Sequence, residues 1–175
     1  MSEPSVAQWE NRRRKMTWEV GILTVSDTRS QGIRADTATA LIRQLLEKAG
    51  FAVCETLLVP DDVRQIQELL IDFADRRKLP LVITTGGTGF GPRDVTPEAT
   101  CRVIEREVPG LPEAMRVATA ERNPLAWLSR GVAGLRGRTL IVNLPGNPDG
   151  AMECLEALLP LLPHALEMVN GCAHG

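Results

Sequence analysis

The chain is poor in the residues that most often announce a function. It has no tyrosine, aromatic side chains make up only 3% of its 175 residues, and it carries two histidines, His164 and His174. Neither histidine is placed for general base work and there is no G-x-S-x-G elbow, so chemistry through a protein nucleophile is disfavoured. Four cysteines, Cys54, Cys101, Cys154 and Cys172, are scattered without a C-x-x-C pair. That spacing speaks against a zinc site and suits a reducing cytoplasm, where cysteines act as small apolar residues. No apolar run approaches the ~18 residues of a membrane span. The opening stretch MSEPSVAQWENRRRKMTW has no apolar h-region and does not read as a secretory signal. Positive charge is not in excess either: 20 Lys and Arg face 22 Asp and Glu, for a net charge of −2. This argues against a nucleic-acid binder whose affinity comes from the whole surface. The basic cluster Arg12–Lys15 therefore reads as part of a solvated, flexible tail.

What is present is ordinary in bulk and specific in pattern. A content of 43% hydrophobic and 24% charged residues fits one soluble α/β-sized domain with a real core. EVGILTVS, 19–26, reads as a buried strand, followed by a loop from Asp27 to Ala35. Ala38, Leu41, Ile42, Leu45 and Leu46 have helical spacing, and Gly50 closes that helix. FAVCETLLV, 51–59, is a second strand ended by Pro60. Asp61 or Asp62 then caps a helix with Val63, Ile66, Leu69, Leu70 and Phe73 on one face. Residues 80–85 form a third strand. Thr96 reads as an N-cap with Pro97 at N1, opening a helix to about Glu107. Another helix spans 112–121, a short turn is expected around 127–130, and 139–144 is a buried strand. PGNPDG makes a tight turn before a last helix that Pro160 and Pro163 should break. Alternating strands and helices imply a mostly parallel sheet covered on both faces, a three-layer αβα architecture. Ligands of such folds gather beyond the C-terminal strand ends. Here those ends carry Ser26-Asp27, Gly86 to Asp94, and Asn143 to Asn147.

The stretch TTGGTGFGPRD has four glycines in six positions, Gly86, Gly87, Gly89 and Gly91. A dinucleotide fingerprint fails because its third glycine position is Pro92. A P-loop fails because Pro92-Arg93 stand where Lys and Ser or Thr belong. Glycines still permit close backbone approach and amides that converge on an anion, and Thr88 adds a hydroxyl. An acidic neighbour, Asp94, makes sense beside phosphate if Mg²⁺ lies between them; it also makes sense as a partner of Arg93 or of a helix start. Asp61 on its own reads first as a helix cap. The chemistry that suits such a loop is phosphoryl or nucleotidyl transfer, which rests on positioning and charge neutralisation.

TVSDT (24–28), TTGGTGFGPRDVTPEAT (84–100), LSRGVAGLRG (128–137) and NLPGNPDGAMECLEALLP (143–160) together resemble the molybdopterin adenylyltransferases. These comprise the MogA-type bacterial enzymes and the G domains of fused plant and animal molybdenum-cofactor synthesis proteins. The resemblance covers roughly 18–171, implying one molybdopterin/nucleotide-binding α/β domain with tails at 1–17 and 172–175. It implies a cytoplasmic homotrimer that adenylylates molybdopterin with Mg-ATP, with hand-over to a molybdenum insertase. It also implies that Asp61 and Asp94 are the catalytic pair and place Mg²⁺. Gly86, Gly87, Thr88 and Gly89 would surround the nucleotide, and Ser129 would contact the pterin. Asn143, Pro145, Gly146 and Asn147 would form another wall of the cleft, and Ser26 and Asp27 match the first-strand motif. One departure is that Asp36 is followed by Thr37-Ala38-Thr39 instead of a D-x-x-G pattern. The competing expectations are a non-catalytic, MoaB-like molybdopterin binder and an oligomeric scaffold. The PRDVTPEA continuation, with both aspartates present, favours catalysis.

Overall fold

A computed structural model describes residues 17–171. The expected tails, with Arg12–Lys15, Cys172 and His174, lie outside the described residues apart from Thr17. Six strands form one sheet in the order β2-β1-β3-β6-β5-β4. They are β1 (Glu19–Val25), β2 (Ala52–Val59), β3 (Leu81–Thr85), β4 (Arg106–Glu107), β5 (Ala133–Arg136) and β6 (Thr139–Leu144). β2, β1, β3 and β6 run parallel; at one edge β5 pairs antiparallel to β6, and β4 antiparallel to β5. β3 and β6 are buried along their whole length, as expected for central strands covered on both faces.

The two faces of the sheet carry separate apolar clusters. On one side Val20, Ile22, Ile83 and Val142 pack with Ile42 and Leu46 of α2 (Thr37–Lys48), Met115 of α5 (Gly110–Ala120), and Leu155 and Leu158 of α6 (Pro148–Leu158). Leu162 and Leu166 of α7 (Leu162–Val169) complete that layer. On the other side Leu23, Val82 and Ile141 meet Ile66 and Leu70 of α3 (Val63–Ile71), and Ala99 of α4 (Thr96–Cys101). Phe73 joins them from a π-helical turn at Asp72–Arg76 that extends α3. The three-layer αβα arrangement expected from the alternating pattern is thus present. Among the described residues no helix is long and apolar enough to cross a membrane.

Local chemistry explains most boundaries. Gly50 sits at φ +92° after α2, and the amides of Gly50 and Phe51 return to Glu47 and Leu46, closing the helix as a glycine C′ residue does. α6 stops at Leu158 and α7 starts at Leu162, as Pro160 and Pro163 require.

Four expectations are corrected. Residues 27–35 are not all loop: α1 (Asp27–Ser30) is one turn, capped by Ser26, whose Oγ accepts the Arg29 amide at 3.3 Å. Thr96 is the first helical residue of α4 and not its cap, because its hydroxyl donates to the Gly86 carbonyl at 2.8 Å. α4 ends at Cys101 and not near Glu107, since the following residues leave the helix to pair with β5, beginning with Glu105 N–H to Leu135 O at 2.7 Å. Within 123–137, Pro124–Leu128 is a 3-10 turn and 133–136 is a strand too short to show a pattern. The open choice of cap for α3 is resolved in favour of Asp62, whose Oδ1 accepts the Gln65 amide at 2.8 Å. That leaves the Asp61 carboxylate for other work. Asp62→Ala should therefore lower unfolding stability by ~1 kcal/mol in denaturant titration, without altering ligand affinity at the strand ends.

Candidate functional site

The parallel strands deliver their C-terminal ends to one edge of the sheet, and the loops that leave them are bonded together. Asp27 N–H donates to Asp61 Oδ2 at 2.8 Å, and Asp61 N–H donates to Asp27 Oδ1 at 2.9 Å. Arg93, in the glycine loop after β3, grips Asp27 through both Nε (2.9 Å) and Nη2 (3.1 Å). Three loops from three strands are tied by this one cluster. Its electrostatics are divided. Hydrogen bonding from Arg93, and then from the Asp61 amide, holds the Asp27 carboxyl below the usual range. The Asp61 carboxyl is pushed up, first by burial and further by the charges of Asp27 and Asp94.

The glycine loop owes its course to what it lies against. Gly86 has φ +101°, and a Cβ there would meet the Val25 carbonyl oxygen at 2.2 Å. Gly87 has φ +68°, and a Cβ would strike Thr96 Oγ1 at 2.3 Å and crowd Asp61 Oδ1 at 3.2 Å. Both positions require glycine for conformation and for space. Gly89 and Gly91 wrap round Asp94: Cβ atoms there would lie 2.9 and 2.8 Å from its Oδ2, which accepts the Gly91 amide at 2.8 Å. The loop is fastened from outside by Arg130, which donates to the carbonyls of Gly89 and Asp94, both at 2.7 Å, and pairs with Glu98.

Two cavities open on this edge. The smaller, about 280 Å³, is polar and is bounded by Ser26, Asp61, Gly86, Gly87, Asp94 and Gly146, together with Arg29 and Arg34. The larger, about 510 Å³, has Thr88, Gly89, Ser129 and Pro145 among its walls, with Met115, Leu125, Ala126 and Leu128 supplying apolar surface. Asn147 borders both, so the two are neighbouring parts of one cleft. Asn147 also caps α6, its Oδ1 accepting the Gly150 amide at 3.0 Å.

Most residues singled out in the sequence therefore line the cleft. Two do not. Asp27 stands behind Asp61 as its support. Asn143 is 1% exposed, and its amide is spent on Thr84 and Thr100, each at 3.0 Å, and on the Val132 amide at 3.2 Å. It braces the floor of the cleft. Asp36, where the motif departs from D-x-x-G, caps α2 and accepts from Thr24 at 3.1 Å. Thr39 is buried against Thr24, so the missing glycine is replaced by a hydroxyl contact. Sequence reading missed Arg29, Arg34 and Arg130, because an isolated arginine in a loop carries no spacing signal.

Comparison with known proteins agrees with this geometry. Residues 21–164 match the family described as "Probable molybdopterin binding domain". The molybdopterin adenylyltransferase of Helicobacter pylori (strain ATCC 700392 / 26695) is 40% identical over 157 residues, spanning 89% of each chain. The molybdenum cofactor synthesis protein cinnamon of Drosophila melanogaster is 42% identical over 152 residues; that stretch is 86% of this chain but only 25% of the fly protein. Among solved structures, the molybdopterin biosynthesis enzyme MoaB of Thermus thermophilus superposes with a TM-score of 0.85 at 55% identity, covering 89% of this chain and 98% of that one. With matched sequence, matched fold and a cleft built from the matched segments, the chain belongs to the molybdopterin-binding family of molybdenum cofactor biosynthesis that includes the molybdopterin adenylyltransferases.

Proposed function

We propose that the protein is a molybdopterin adenylyltransferase. A terminal phosphate oxygen of molybdopterin attacks the α-phosphorus of ATP. The new P–O bond forms as the bond to the α,β-bridging oxygen breaks, and pyrophosphate leaves with that electron pair. The observation that carries this reading is the placing of Asp61 and Asp94, from loops after different strands, in one polar cavity with Gly86 and Gly87, beside a larger cavity suited to a heterocycle. A phosphate is already a nucleophile, so the absence of a placed histidine fits the reaction, and the protein's task is positioning and charge control.

The donor set fits Mg²⁺. Asp61 and Asp94 each commit Oδ2 to a backbone amide, and each has a second carboxylate oxygen. Among the described residues there is no group of three or more His, Cys, Asp or Glu that would cage a metal. Magnesium commonly takes one or two carboxylates and completes its shell with water and substrate phosphates. Bound by Asp61 and Asp94, the ion would neutralise charge on the reacting phosphates. The chain's own part is to hold the two carboxylates at fixed positions, to keep the glycine loop clear of side chains, and to seat the pterin near Ser129. The homotrimer belongs to the same reading and is supported by the exposed Leu125, Trp127 and Leu128 of the 3-10 turn, an apolar surface of the kind that subunits cover.

Purified protein with molybdopterin, ATP and Mg²⁺ should yield adenylylated molybdopterin and pyrophosphate. Molybdopterin binding without pyrophosphate release would instead support the non-catalytic alternative. Asp94→Asn should cut turnover by roughly 10²–10³ with an unchanged melting temperature, and full activity in that variant would overturn the carboxylate's role. Ser129→Ala should raise the molybdopterin dissociation constant and leave that for ATP unaltered.

Asp61 makes a prediction through its pH dependence. Its folded carboxyl titrates above the ordinary value of 3.8, so folding favours the neutral acid and the ionised form costs stability. That cost is absent below the unfolded value and grows as pH rises through the folded one. Asp61→Asn should thus melt higher than wild type at pH 7, with the gain fading below about pH 4, while transfer activity is lost. A lower melting temperature at pH 7 would show that the carboxylate is structural.

A further inference from the structure

We propose that Arg29 and Arg34 form a polyphosphate subsite next to Asp61 and Asp94, which binds the β,γ-phosphates of the nucleotide and retains them as pyrophosphate until release. This rests on the adenylyl-transfer reading above and assigns work to two arginines that reading does not use.

Arg29 is 7% exposed, an unusual state for a guanidinium. Its Nη2 donates to the Gly146 carbonyl at 2.9 Å, and its Nη1 lies 3.8 Å from Asp36 Oδ1. Its Nε is buried and has no hydrogen-bond partner among the described residues. A desolvated charged donor left unpaired is costly and calls for an explanation beyond the contacts the fold supplies. Arg29 borders the small cavity, and so does Arg34, for which no carboxylate partner is found among the described residues.

Charge decides what the cavity accepts. Asp61 and Asp94 alone would repel an anion, and Arg34, together with Arg29, which also faces Asp36, adds positive charge beside them. An incoming polyphosphate would then meet two guanidinium groups as well as any Mg²⁺ that Asp61 and Asp94 would hold. Guanidinium is the side chain that matches phosphate oxygens in a planar fork. Two of them on one small polar cavity fit two linked phosphates better than a single phosphomonoester. The pterin has its own space beyond Asn147, in the larger and more apolar cavity. The transferred α-phosphate stays with the product, so the group bound at the arginines can leave independently.

The test is calorimetric titration, in the presence of Mg²⁺, of wild type and Arg34→Ala with pyrophosphate, ATP, AMP and molybdopterin in separate runs. Arg29→Lys serves as a second variant that keeps the charge and removes the fork. Wild type should bind pyrophosphate. Arg34→Ala should weaken pyrophosphate and ATP by about tenfold or more, leaving AMP and molybdopterin within about twofold. Arg29→Lys should show the same split. Equal losses for AMP and ATP would place the arginines at the α-phosphate, and a loss confined to molybdopterin would place them at the pterin's phosphate; either overturns the proposal. Unchanged pyrophosphate affinity in both variants, or none in wild type while AMP transfer proceeds, would overturn the subsite alone. Pyrophosphate binding that shows the predicted split, in a protein that transfers no AMP, would support the subsite and sink the transfer reading.

Discussion

Asp27 and Asp61 each accept the other's backbone amide, and the rest of the cleft depends on that exchange. It joins the ends of β1 and β2 across a pair of hydrogen bonds of 2.8 and 2.9 Å, and Arg93 extends the join to the loop after β3. Neighbouring parallel strands share a register, so their ends already lie side by side. The exchange converts that proximity into fixed positions for side chains. Without it Asp61 would sit on a free turn, and its distance from Asp94 would vary with loop motion. A transfer reaction that relies on placement gains most from such rigidity.

The same cluster is a source of strain. Three aspartates and their counter-charges occupy a small, partly desolvated space, and the Asp61 carboxyl is raised by burial and by its acidic neighbours. Folding tolerates this because the cost falls on a few groups while the two apolar layers, one on each face of the sheet, hold the scaffold. Glycine makes a similar concession. Gly86 and Gly87 adopt left-handed backbone and press against Val25 and Thr96, which excludes side chains from the path of a ligand. Stability is given up locally where chemistry needs open space and unpaired charge.

Much of this is legible from residue order. The apolar run of β3 leading into a glycine loop, the proline-limited helices after β6, and the glycine stop at Gly50 are local signals with local causes. The acidic pair is marked by the PDD and PRD segments. The failures are equally physical. Thr96 has the sequence look of a cap, yet its hydroxyl is captured by Gly86, ten residues earlier. β4 and β5 are too short to announce themselves: β5 exists because β6 gives it a partner, and β4 because β5 does. Asn143 reads as part of the cleft wall because it lies near the end of β6, but the alternation of that strand turns its amide towards Thr84 and Thr100.

The sequence by itself determined the class of fold, the glycine loop and the two carboxylates near it, since hydrophobic period, glycine content and motif order are properties of neighbours in the chain. Only the tertiary structure decided which aspartate caps α3 and which faces the cleft, that Asp27 supports Asp61, and that Arg29 and Arg34 border the same cavity as both carboxylates. Apart from the local cap at Asp62, three positions from Gln65, the contacts behind those facts reach from 34 positions, between Asp27 and Asp61, to 117, between Arg29 and Gly146. They form through burial and hydrogen bonding, and no local propensity encodes a partner that arrives from another strand.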